Sequence, residues 1–136
     1  MTQSTAIRPD DPVTARHEDA VDWSVLDSLR ILQQPGKPDL RKKLMTVYLD
    51  SSPGLMEGIR SAIASRNGEA LGNCAHSLKS SSMSLGATGL GEICSRLEQL
   101  GRAGSLDEAP ELLERAETRF TAVTSAFRRA LEQDAP

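Results

Sequence analysis

The strongest constraint on this chain lies near its C-terminus. From about Pro110 to Leu131, the residues Leu113, Ala116, Phe120, Val123, Phe127 and Ala130 recur at alternating spacings of three and four. That period is the seam of a helix packed against other helices. A lone helix cannot bury such a stripe, so its partners must lie elsewhere in the chain.

They can be read off in turn. Leu90, Ile93, Cys94, Leu97 and Leu100 form a second stripe, on a helix from about Thr88 to Leu100 that Gly101 is expected to stop. Asn67-Gly68 is a turn signal. Asn67 can cap a helix with Glu69 in its first turn, running to about Ser84 and closed by Gly86. Upstream, Asp39 suits a cap for a helix bearing Leu40, Leu44, Val47 and Tyr48. Pro53-Gly54 interrupts that helix, but Leu55, Ile59, Ala62 and Ile63 resume the period, which predicts one kinked helix ending near Arg66. Pro35-Gly36-Lys37-Pro38 separates it from a short helix over about 24–32, with Val25, Leu26 and Leu29 on one side. Aromatics are only 3% of the chain, so aliphatic side chains must fill the core, a palette that suits helices better than sheets. No strand pattern or internal repeat emerges. The expected fold is all-α: an antiparallel up-down four-helix bundle with a short additional N-terminal helix. Residues 1–22 read as a disordered tail or linker, and residues 23–136 as the bundle.

Charge narrows the function. Two of the 16 basic and five of the 19 acidic residues precede Trp23, leaving 14 of each sign in the bundle. A neutral domain with scattered cations has no footprint for nucleic acid or an anionic membrane. The N-terminus carries no secretory signal, and no apolar run approaches a membrane span. The chain is therefore expected to be cytoplasmic, with Cys74 and Cys94 reduced. The initiator Met and polar start suggest a free-standing protein, the alternative being the end of a hybrid kinase.

On a wheel at about 100° per residue, Leu71, Ala75, Leu78, Ser82 and Leu85 of the third long helix fall within roughly 80° of one another. His76 lies about 160° from Leu78 and should face solvent. Its neighbours on that face are Gly72, Asn73, Lys79, Ser80 and Met83. Gly72 and Ser80 are small enough to admit a partner surface, Lys79 supplies a cation, and Met83 an apolar contact. An exposed histidine on a helix is ordinarily only a solvated side chain, and a lysine or glycine beside it only surface tolerance.

The wider pattern changes that weighing. Ala75-His76-Ser77-Leu78-Lys79-Ser80-Ser81-Ser82 is followed by Leu85-Gly86-Ala87, then by Leu90, Cys94, Leu97-Glu98 and Gly101-Arg102. This resembles the histidine-containing phosphotransfer (HPt) domain family of two-component phosphorelays, whose pattern is roughly A-H-x-L-K-G-S-S, L-G-A, L-x-x-x-C-x-x-L-E and G-R. The resemblance runs from about Leu40 to Leu131. It implies that His76 is phosphorylated, that Lys79 sits beside the phosphate, and that the fold is a four-helix bundle with a short N-terminal helix. The family's glycine four residues after the histidine is Ser80 here. Its hydroxyl adds bulk where a partner docks and is a candidate phosphate contact.

The chemistry agrees with this assignment. Neutral imidazole is a good nucleophile near pH 7, and phosphoryl transfer asks mainly for positioning and charge neutralisation. The chain has no Gly-rich phosphate loop or kinase motif. It should be a phosphocarrier with no kinase site or cofactor of its own. The resemblance implies response-regulator receiver domains and a hybrid sensor histidine kinase as partners, with Mg2+ held by the receiver, and a monomeric carrier. Two other readings remain open: an adaptor that binds receivers without carrying phosphate, and a plain helical interaction bundle. A metal site at Cys74 and His76 fits poorly, because the two point to different faces and no second pair has zinc spacing. The cysteines read as small core residues on facing helices, and Ser81 and Ser82 as bonding back to helix carbonyls.

Overall fold

The computed structural model describes residues 20–133. Their elements are α1 (Trp23–Ser28), a 3-10 turn (Leu29–Leu32), α2 (Leu40–Ala64), α3 (Gly68–Ser84), α4 (Thr88–Ala103) and α5 (Ala109–Gln133). No strand occurs among the described residues. The four long helices pack in a closed ring, α2 on α3, α3 on α4, α4 on α5, and α5 back on α2. The all-α bundle expected from the stripes is the fold observed.

Local chemistry sets the helix starts. The side chains of Asp22, Asp39 and Asn67 each accept a backbone N–H from the first turn of α1, α2 and α3 respectively. Pro53 lies inside α2, which continues through it as one helix. Tyr48 and Phe127 meet edge to face at 5.4 Å, and Trp23 of α1 closes the same cluster at 6.0 Å from Phe127. The Tyr48 and Ser82 hydroxyls hydrogen-bond at 2.9 Å in the core. Ser82 thus bonds across to α2, while Ser81 bonds back to the Ser77 and Leu78 carbonyls.

Several boundaries differ from the sequence reading. The first helix ends at Ser28 and tightens into the 3-10 turn. Ala20 and Val21, assigned to the tail, are buried, and the Asp22 N–H donates to the Gly86 carbonyl at 2.8 Å. The fold therefore begins at least three residues before Trp23, while residues 1–19 lie outside the described part. Gly101 does not stop α4. The helix runs to Ala103 and ends on Gly104, whose φ of +70° supplies the left-handed cap. On α5, Ala109 and Leu112 join the buried face, because this helix packs against both α2 and α4. Cys94 is buried, and burial pushes its thiol up to about 12. Cys74 is only half-buried, and its Sγ lies where a side chain at Gly58 of α2 would begin.

Glycine sets the approach of α3 to α4. A Cβ at Gly101 would lie 2.6 Å from the Gly68 carbonyl oxygen and 2.7 Å from the Gly72 nitrogen, so the two backbones touch. At the other end of this antiparallel pair, the Met83 side chain lies over Gly91, where a Cβ would be 2.8 Å from its Cγ and Sδ. Side chains midway between these points are held at close range across the helix pair.

Candidate functional site

His76 occupies that middle level on α3, with its side chain 57% exposed. The solvent-facing position read from the wheel is the one observed. Directly across, α4 presents Glu98, only 16% exposed. The His76 Nδ1 is 3.0 Å from Glu98 Oε2, and the Lys79 Nζ donates to Glu98 Oε1 at 2.7 Å. Arg102, one turn further along α4, brings Nη2 to 3.5 Å from Glu98 Oε2 and donates from Nη1 to the Asn73 Oδ1 at 3.0 Å. One carboxylate thus gathers three basic side chains from two helices.

The hydrogen bond from Lys79, joined by that from His76, holds the Glu98 carboxyl below its ordinary value of 4.5, outweighing burial, which acts the other way. Glu98 is therefore a carboxylate at neutral pH, and a carboxylate only accepts hydrogen bonds. His76 must carry its proton on Nδ1. Its neutral ring then presents an unprotonated Nε2 from an exposed side chain.

A depressed carboxyl contributes stability that is complete above the unfolded value and is lost as pH falls through the lower folded value. Glu98→Gln is thus expected to be less stable than the wild type at pH 7. The gap should narrow as pH falls through the lowered folded value of Glu98, where its carboxyl takes up a proton and loses its charge. Thermal denaturation of the two proteins at pH 7 and over a descending acid series checks this, and a gap of unchanged size throughout would contradict it.

The remaining residues singled out in the sequence separate into two groups. Ser80 and Met83 line an open groove of about 660 Å³ beside Lys79, bounded across α4 by Glu92, Ser95 and Arg96. The groove begins at Lys79, about one turn along α3 from His76, and Met83 also packs on Gly91. Gly72 does not offer a partner an open surface: it is buried, and a Cβ there would lie 3.1 Å from Arg102 Nη1. Its smallness serves the contact with α4 and the overlying guanidinium. Asn73 is exposed, but its side chain is tied to Arg102.

Glu98 and Arg102 are the functional side chains that periodicity missed. Both were visible only as letters of a longer pattern. Their roles depend on α3 and α4 being antiparallel and in one register, which no single helix wheel reports. No cluster among the described residues groups three or more side chains suited to a metal, and no described helix is long and apolar enough to cross a membrane.

The Hpt domain family model matches residues 43–133. Histidine-containing phosphotransfer protein B (HptB) from Pseudomonas aeruginosa superposes with a TM-score of 0.77 at 28% identity, over 85% of this chain and 97% of that one. The HPT domain of a sensor hybrid histidine kinase from Shewanella superposes with a TM-score of 0.68 over 86% of this chain and 97% of that one; at 22% identity it speaks for the fold alone. The signal transduction histidine-protein kinase BarA from Shigella flexneri is 31% identical over 96 residues, which is 69% of this chain but 10% of the kinase.

Proposed function

The chain belongs to the Hpt domain family, and from that premise we propose that it acts as a phosphorelay intermediate with His76 as its phosphoryl carrier. It is a phosphocarrier module and not a kinase. Its partners are of two classes, receiver domains and a sensor histidine kinase. The observation that carries the reading is the Glu98–His76 hydrogen bond, which leaves Nε2 as the nucleophile on an exposed ring.

The step balances with few proton movements. The Nε2 lone pair attacks the phosphorus of a receiver's aspartyl phosphate, an N–P bond forms, the acyl O–P bond breaks, and the aspartate leaves as carboxylate. The ring then carries both the Nδ1 proton and the phosphoryl group, and so gains positive character that Glu98 offsets through the existing hydrogen bond. Lys79, one turn along α3, neutralises phosphoryl charge, and Ser80 is placed to donate a hydroxyl to a phosphate oxygen. Passing the group to a second receiver reverses these bonds. Activation of the aspartate falls to the receiver and its Mg2+. A cytoplasmic, monomeric carrier suits this role. Gly72 is withdrawn from the docking surface, which leaves Ser80 and Met83 at its centre and Asn73 at its edge.

The test is a panel of phosphorylated receiver domains offered to the purified chain. Label that is acid-labile and base-stable is expected on this protein, transferable to a second receiver. Receiver binding without label would overturn the carrier reading in favour of an adaptor. Ser80→Gly is then the informative variant, because it restores the family residue in the groove.

A further inference from the structure

Arg119 of α5 is the one buried charged residue among those described, at 8% exposure. Its side chain forms no hydrogen bond or ion pair with a described residue. The guanidinium lies against the first turn of α4: a Cβ at Gly89 would be 3.1 Å from Nη1 and 3.5 Å from Cζ. That turn lacks compensation too. Ala87, at the cap position, supplies no side-chain acceptor, and no acidic residue occupies the first turn. The earliest amide shown bonding back is that of Gly91, to the Ala87 carbonyl at 3.0 Å. The amides before it lack intrahelical partners, as in any helix, and they add to the positive end of the macrodipole.

A desolvated cation and a helix N-terminus repel each other, and the described residues place no anion between them. We propose that this corner is an oxyanion site, in which carboxylate or phosphate oxygens bind between the Arg119 guanidinium and the first-turn amides of α4. It is distinct from the histidine centre, since Glu98 lies nine residues beyond Gly89 along α4, about 14 Å by helical rise. Two sources can supply the oxygens. One is the chain's own carboxylates Glu18 and Asp19, four and three positions in sequence before Asp22, whose N–H donates to the Gly86 carbonyl just before α4. The other is a free oxyanion.

The experiment titrates inorganic phosphate into the full chain and follows the Gly89 and Leu90 amides by NMR. Arg119→Gln, Arg119→Lys and the double variant Glu18→Gln/Asp19→Asn are run in parallel. Saturable shifts are expected in the wild type. They should weaken at least about tenfold in Arg119→Gln and less in Arg119→Lys. If the chain's own carboxylates fill the corner, the double variant moves the same amides before any ion is added and then binds phosphate more tightly. No saturable response in either the wild type or the double variant overturns the proposal, as does equal binding by Arg119→Gln. Should Arg119→Gln fail to fold, the same comparison with Arg119→Lys decides it. His76 labelling is a separate readout, so failure here leaves the carrier reading standing.

Discussion

His76→Gln is expected to take up no phosphoryl group from any receiver that labels the wild type, while folding as the wild type does. Loss should be complete, because an amide has no nucleophilic nitrogen to form the phosphoramidate, and His76 is the one histidine among the described residues. Cys94 is buried with its thiol pushed up to about 12. The fold should be indifferent. His76 is 57% exposed, its side chain bonds to Glu98, and the glutamine amide can still donate to that carboxylate. Exposed substitutions of this kind fall within about 0.5 kcal/mol. Labelling beside a denaturation curve checks both halves. Residual acid-labile label on the variant would mean that the carrier is another residue. A large loss of stability would mean that the His76–Glu98 bond has a structural role the exposure does not suggest.

The histidine was readable from sequence because exposure follows from position on one helix. His76 stands opposite a run of buried residues, Leu71, Ala75 and Leu78, and the wheel needs nothing beyond α3. The carboxylate that orients it was not readable in the same way. Glu98 is 22 positions away, on the polar side of another stripe, and looks like any solvated glutamate until α4 is laid antiparallel on α3. Glycine was ambiguous for a related reason. Gly101 and Gly104 both follow the α4 stripe, and sequence does not say which serves conformation and which serves contact. The structure divides the roles: Gly104 takes the positive φ that ends the helix, and Gly101 stays helical so that α3 can touch it. Ala20 and Val21 were lost to the tail because two apolar residues are too short a run to show a period.

That division of roles leads to a large expected effect on stability. Gly101→Ala should destabilise the protein by about 2–4 kcal/mol, lowering the melting temperature by on the order of 10 °C. The added methyl would begin 2.6 Å from a backbone oxygen and 2.7 Å from a backbone nitrogen of α3, so no flexible side chain can yield and the helices themselves must part. The gain in helix propensity, about 1 kcal/mol, cannot offset this. Gly54→Ala in α2 is the matched control. Nothing lies within 4 Å of its Cβ, so the same chemical change should stabilise by up to about 1 kcal/mol. Opposite signs from one substitution type would separate packing from propensity. The two variants should also differ in function. Parting α3 from α4 near Gly72 stretches the His76–Glu98 bond, so the folded fraction of Gly101→Ala should transfer phosphate more slowly, while Gly54→Ala transfers normally. If Gly101→Ala is as stable as the wild type, the two backbones are not in contact. If it is destabilised but transfers at the normal rate per folded molecule, Glu98 does not set the reactivity of His76.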